Sequence, residues 1–124
     1  MTMPSTASPS PSLLLAGLLG ITGVALAAAA SHLGDGHLLG NAAQMCLVHA
    51  PALVAIHAAG ERLRTGNAAS LLLGLGTVLF AGDLVYRHSS GNGLFPMAAP
   101  TGGIVMMAGW LAVGVGALFR PRMP

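Results

Sequence analysis

Five polar side chains interrupt otherwise apolar stretches and could carry chemistry: His32, Gln44, His49, Asp83 and Arg87. Asp83 and Arg87 are four residues apart, so they share one face of a helix and can form an ion pair. Histidine titrates near neutral pH and can also bind a haem iron. These residue types offer a structural ion pair, a proton or lipid-headgroup site with His32, or a cofactor ligand. Each function depends on whether the apolar stretches span a membrane, where an ionisable side chain is costly.

His49 permits two interpretations, an interhelical hydrogen bond or a haem ligand. Haem ligation by two side chains needs them on opposite sides of the ring, and therefore on different helices. The other histidine inside an apolar stretch, His57, shares a segment with His49. Gln44 is five residues from His49, which is about 140° around a helix, so these two side chains do not share a face. We therefore expect His49 to form an interhelical hydrogen bond and predict no resident cofactor, with haem or quinone as the alternative.

No catalytic residue and no metal site is predicted. No Ser/His/Asp triad, HExxH metal motif, phosphate-binding loop or dinucleotide-binding glycine pattern stands in a usable context. The single cysteine, Cys46, excludes an internal disulfide and a thiol zinc cluster built from this chain alone. The sequence therefore predicts a protein that is not an enzyme.

The composition places the chain in a bilayer. Its 124 residues are 54% hydrophobic and only 6% charged, whereas soluble domains carry about 25% charged residues. Such a chain cannot cover a water-exposed surface, which excludes an ordinary soluble enzyme and a disordered protein. The net charge of +2 comes from scattered arginines rather than a basic stripe, so a nucleic-acid partner is also excluded.

Four apolar segments each approach the length of about 20 residues that crosses a bilayer. We predict spans at residues 13–31, 41–60, 68–88 and 98–119, preceded by a disordered lead at 1–12 and followed by a basic tail at 120–124. Residues 31–40 are expected to form a loop or interfacial segment, and Pro51 is expected to kink the second span. Ala25-Leu26-Ala27 is similar to a signal-peptide cleavage site, but no Lys or Arg precedes it, which favours a retained span.

These segments predict an all-α membrane protein, a four-helix transmembrane bundle with short connections. Short connections make neighbouring helices antiparallel. Four arginines fall on the side that holds both termini, and Arg87 alone falls on the other, so the positive-inside rule places both termini in the cytoplasm. Membrane helices associate through small residues. The residues predicted to pack the helices together are Gly74, Gly82, Gly102, Gly103, Gly109 and Trp110.

Several short motifs occur in an order that resembles the domain-of-unknown-function 423 family, also described as transmembrane protein 256-like. They are Ala30-Ser31-His32, Gln44-Met45 followed by His49-Ala50, the stretch 79–86, Pro100-Thr101-Gly102-Gly103 and Gly109-Trp110. The resemblance covers roughly residues 13–119. Ala43 stands where the family has a tyrosine, and Asp83 stands where it has a small hydroxyl residue. The resemblance implies a small protein of about four spans in a bacterial inner membrane, or in the mitochondrial inner membrane of a eukaryote, and implies no activity.

Three functions remain open at this point. The first is an accessory, structural or assembly subunit of a larger membrane complex, such as a respiratory one, with membrane lipids and other membrane subunits as partners. The second is a small proton-linked transporter, whose polar path would run from His57 through His49 to Asp83 and His32. The third is a redox subunit that binds haem or quinone through His49 and His32.

Overall fold

The computed structural model describes residues 8–33 and 36–119, and four α-helices make up nearly all of these. They are α1 (Pro11–His32), α2 (Gly36–Ala59), α3 (Gly66–Ser90) and α4 (Ala98–Gly116), and a 3-10 turn at Gly60–Arg62 follows α2. All four helices are long and apolar enough to cross a membrane, and the described ranges contain no strand. The predicted all-α, four-span architecture is confirmed. Residues 1–7 of the predicted lead and the predicted tail at 120–124 lie outside the described residues.

Local sequence signals explain where two of the helices begin and end. The side chain of Ser10 accepts a hydrogen bond from the amide of Leu13, and Pro11 follows in the first turn of α1, where a missing amide costs nothing. α3 ends at Gly91, which adopts a left-handed conformation with φ of 80° and donates its amide to the carbonyl of Arg87. Glycine adopts this conformation without steric cost, so it terminates the helix.

The loop predicted at residues 31–40 is much shorter than expected. Ser31 and His32 complete α1, and Gly36 already begins α2. The glycines at 36 and 40 suggested a loop, but Leu38 and Leu39 between them pack into the bundle. Tertiary packing therefore outweighs the low helix propensity of glycine in this segment. α2 continues through Pro51 to Ala59, and the kink predicted there stays a prediction.

The chain forms an up-and-down bundle with α2 and α3 at its centre. α1 packs mainly on α2, α4 packs mainly on α3, and α1 meets α3 only sparsely. We call the end that holds the α1–α2 and α3–α4 connections the loop end, and the opposite end the terminal end. The core consists of small residues with a few larger ones, such as Leu53 and Leu73, while most of the large apolar side chains remain on the outside. This distribution suits a protein whose solvent is lipid.

Glycines bring α3 and α4 into backbone contact. A Cβ atom added to Gly102 would lie 2.7 Å from the backbone nitrogen of Phe80, and one added to Gly76 would lie 2.8 Å from the carbonyl oxygen of Gly102. Gly109 has a similar contact with Leu73. Gly74 is covered by the side chain of Leu15 from α1. A larger residue at Gly76, Gly102 or Gly109 would force the helices apart, whereas one at Gly74 would displace the end of the Leu15 side chain.

Two of the predicted packing glycines lie elsewhere. A Cβ atom added to Gly82 or Gly103 would have no neighbouring atom within 4 Å. Both glycines lie on faces of α3 and α4 that point away from the helix crossing. The rotation of each helix about its axis decides which glycines meet, and residue type alone does not reveal that rotation. Gly76, absent from the sequence prediction, lies at the crossing instead.

Candidate functional site

Asp83 and Arg87 form the ion pair that their spacing predicts, near the loop end of α3. The Nε atom of Arg87 lies 3.1 Å from Oδ2 of Asp83. Asp83 is fully buried, whereas 41% of the Arg87 side chain is exposed. A buried charge requires such a partner, because an unpaired ion in a low-dielectric environment is very costly. Arg87 can neutralise the charge of Asp83 through its Nε atom while its other guanidinium nitrogens extend to the membrane surface.

The same carboxylate fastens the connection between α3 and α4. The amide of Leu94, in the connection between the two helices, donates to Oδ1 of Asp83 at 2.7 Å. Asp83 therefore joins the end of α3 to the loop that leads into α4. These hydrogen bonds indicate that Asp83 has a structural role, which is to hold the α3–α4 loop against the end of α3.

His49 and Trp110 form an interhelical hydrogen bond between α2 and α4. The indole Nε1 of Trp110 lies 3.0 Å from Nε2 of His49, and Nδ1 of His49 lies 2.8 Å from the carbonyl oxygen of Met45. An indole nitrogen can only donate, so Nε2 must accept and Nδ1 must carry the proton. Both ring nitrogens are thus engaged by the chain, with the imidazole neutral. The two rings are 5.8 Å apart between centroids.

The other predicted site residues are not drawn into these two clusters. His32 is exposed at the end of α1, and Gln44 is exposed on α2 beside the surface between α1 and α2. The hydrogen bonds described for His49 and Asp83 involve neither residue. His57 lies at the terminal end, where its Nδ1 is 3.3 Å from the hydroxyl of Ser10. Of the residues on the alternative proton path, His49, His57 and Asp83 therefore engage separate partners, and His32 is exposed.

The described residues contain no group of three or more His, Cys, Asp or Glu side chains placed to hold a metal ion. Cys46 is a free cysteine and is buried in the core. Within the same part of the chain, every buried side-chain nitrogen or oxygen has a hydrogen-bonding partner. A haem or quinone at His49 would have to displace the indole of Trp110 from Nε2.

Sequence reasoning assigned Trp110 to packing and missed its role as the donor to His49. An indole N–H inside a membrane needs an acceptor. His49 and Trp110 both lie near the middle of a predicted span, so their equal depth was a usable signal. Thr65 was also missed: its hydroxyl donates to the carbonyl oxygen of Ala112 at 2.6 Å and ties the α2–α3 turn to α4.

A sequence profile of the family described as Protein of unknown function (DUF423) matches residues 25–103. The chain belongs to this family. The DUF423 match includes His49, Asp83, Arg87 and the Gly102 crossing, and it ends before Trp110. The resemblance inferred from the short motifs is thereby confirmed.

Curated relatives give the location of the DUF423 protein. It is 42% identical over 53 residues to "UPF0382 inner membrane protein YgdD" of Escherichia coli (strain K12), a match that covers 43% of this chain and 40% of the relative. The protein of the same name from Shigella flexneri matches equally well. The chain thus spans about 40% of the length of the curated relatives it matches. No solved structure matches the chain. The protein is a small inner-membrane protein whose described residues form four helices long and apolar enough to span a membrane.

Proposed function

We propose that this protein is an accessory or assembly subunit of a larger inner-membrane complex, without a catalytic site or resident cofactor of its own. The observation that carries the proposal is the bonding of its buried polar groups. His49 forms hydrogen bonds with Trp110 and with the carbonyl of Met45. Asp83 forms hydrogen bonds with Arg87 and with the α3–α4 loop. These contacts stabilise the bundle and leave its lateral faces as the surface that a partner would meet.

The exposed face of α1 is the proposed partner surface. Only 17% of the apolar segment of α1 is buried in the bundle, compared with 39% for α3. Gly17 and Gly20 lie on α1 where an added Cβ would meet no atom within 4 Å. Small residues on an outer face allow another membrane helix to approach closely. This arrangement favours α1 over the more enclosed helices as the site of subunit contact.

Affinity purification of the tagged protein from its own membrane tests the proposal. The protein is extracted in a mild detergent, and co-purifying membrane proteins are quantified by mass spectrometry. We expect one stoichiometric partner, lost with Gly20→Leu on α1 and kept with Gly114→Leu, a matched change at an open position on α4. Wild-type protein that purifies without a stoichiometric membrane partner would refute the proposal.

We also propose that both termini face the cytoplasm. Arg62 and Arg64 lie at the terminal end of the bundle, and Arg87 lies near the loop end. Arginine-rich connections stay on the cytoplasmic side during insertion. A C-terminal alkaline phosphatase fusion should therefore be inactive, and a fluorescent-protein fusion should be bright. An active phosphatase fusion would show that the C-terminus lies outside the cytoplasm and would contradict the proposed orientation.

A further inference from the structure

A polar crevice lies at the terminal end of the bundle, where the start of α1, the end of α2 and the start of α3 meet. Its volume is about 240 Å³. The polar side chains that line it are Ser12, His57, Glu61, Arg64, Asn67 and Ser70. This volume is below the about 300–1,000 Å³ of pockets for drug-sized ligands. The crevice therefore suits a small polar group, such as the headgroup of a lipid.

The crevice carries charges of both signs. Glu61 contributes a carboxylate and Arg64 contributes a guanidinium, which also lies over the ring of Phe119 at 5.7 Å. The crevice reaches the first turn of α3 at Gly66 and Asn67. Thr65 does not cap this helix with its side chain, because its hydroxyl bonds to Ala112 instead. The partial positive charge of the α3 N-terminus adds to that of the guanidinium.

An apolar groove continues from the crevice along the seam between α1 and α3. Ser12, Asn67 and Ser70 line both the crevice and the first part of this groove, where Leu71 and Leu75 provide apolar walls. Beyond the contact of Leu15 with Gly74, the seam widens into a groove of about 600 Å³. Its walls are mainly apolar and include the following residues of α1 and α3: Leu18, Thr22, Val78 and Gly82. The seam exists because α1 packs on α2 and barely touches α3.

We propose that the crevice and the seam together bind one phosphatidylethanolamine molecule. The phosphate meets Arg64, the amide side chain of Asn67 and the hydroxyl of Ser70. The ammonium meets Glu61, and one acyl chain lies along the α1–α3 seam. Arginine is well suited to phosphate because its planar fork donates two parallel hydrogen bonds. Glu61 also takes part in an interaction within the chain, and a carboxylate can accept several hydrogen bonds at once.

The pairing of opposite charges selects this lipid class. A purely anionic headgroup would leave Glu61 facing a negative charge, which costs free energy. A phosphatidylcholine headgroup has the same net charge but no N–H group to donate to the carboxylate. The crevice lies at the helix ends, the depth at which phospholipid headgroups are found, and the seam runs from it into the hydrocarbon layer. The site is independent of the proposal that the protein is an accessory subunit.

Native mass spectrometry of the purified full chain in detergent tests the site. Phosphatidylethanolamine, phosphatidylcholine and phosphatidylglycerol with identical acyl chains are added at equal concentrations. The variants are Glu61→Gln and Arg64→Gln, and the matched control is Arg62→Gln, a neighbouring arginine that does not line the crevice. Circular dichroism of each variant verifies that the helical bundle is retained.

We expect wild type and Arg62→Gln to bind one phosphatidylethanolamine in preference to the other two lipids. Arg64→Gln should weaken this binding about tenfold, the change that ~1.4 kcal/mol produces. Glu61→Gln should abolish the preference over phosphatidylglycerol. Equal binding of all three lipids, unchanged in Arg64→Gln, would show a non-specific lipid shell and overturn the proposal. A preference that survives Glu61→Gln would overturn the assignment of the ammonium to Glu61.

Discussion

The ion pair at the loop end allows a quantitative test of how a buried charge is stabilised in this bundle. The test is a double-mutant cycle that combines Asp83→Asn with Arg87→Gln. Asp83 is fully buried and accepts hydrogen bonds from Arg87 and from the amide of Leu94. Each single variant leaves one member of the pair with an unsuitable partner, whereas the double variant removes both charges.

The expected magnitudes follow from burial and from the remaining partners. Removing one member of a fully buried ion pair costs about 3–5 kcal/mol. The cost is smaller here because 41% of the Arg87 side chain is exposed and because the amide of Leu94 still bonds to position 83 in either variant. We expect each single variant to lose about 2 kcal/mol of unfolding free energy, within the range for hydrogen bonds to charged groups.

The double variant should lose no more than about 2 kcal/mol, because the two introduced carboxamide side chains can form a neutral hydrogen bond at the same spacing. The predicted coupling free energy is therefore about 2 kcal/mol, inside the range of about 0.5–3 kcal/mol for residues in contact. The sign of the coupling is as informative as its size, because side chains that stabilise each other make the second change less costly than the first.

Reversible unfolding in mixed micelles of increasing dodecyl sulfate content, followed by circular dichroism, provides the four free energies. A control cycle pairs Asp83→Asn with Arg64→Gln, whose side chain lies at the opposite end of the bundle. This control cycle should be additive within about 0.5 kcal/mol. If the Asp83 and Arg87 cycle is additive as well, the ion pair does not stabilise the fold, and the argument from the burial of Asp83 is wrong.

Two further predictions concern the contacts of α4. Gly102→Ala should lower the unfolding free energy by about 1–3 kcal/mol, because the new Cβ would meet the backbone of α3. The control Gly82→Ala, at an open position, should not lower it. Equal effects of the two changes in the same unfolding assay would contradict the described packing of α3 on α4. Trp110→Phe should cost about 0.5–1.5 kcal/mol, because it removes the hydrogen bond to His49. Because Trp110 is the only tryptophan, its fluorescence emission should also shift in His49→Ala, and an unchanged spectrum would argue against the bond.

Several features could be predicted from the sequence because each depends on local spacing or on composition. A chain with 6% charged residues can only bury its surface in lipid, and four apolar segments of suitable length then require four helices. The ion pair of Asp83 and Arg87 followed from their separation by one helical turn. The motifs around His49, Gly82 and Gly102 were sufficient to indicate the family that the profile match confirms.

Other features depend on how the helices are rotated and paired, which no single segment encodes. The sequence provided many glycines with a suitable period, but only the rotation of α3 and α4 placed Gly76 and Gly102 in contact and left Gly82 and Gly103 on open faces. Likewise, the helical start of α2 at Gly36 depends on the packing of Leu38 and Leu39 against other helices. Interhelical contacts of this kind depend on residues distant in the chain.

The functional groups divide in the same way. Residue type and depth determined that His49 and Asp83 would need partners, because a bilayer provides none. The tertiary structure decided who those partners are: Trp110 from α4 for His49, and the backbone of the α3–α4 connection for Asp83. It also brought Ser12 of α1 beside Glu61 and Arg64 at the start of α3. A partner across the bundle is chosen by the relative placement of whole helices, which follows from the free energy of the complete bundle rather than from any local pattern.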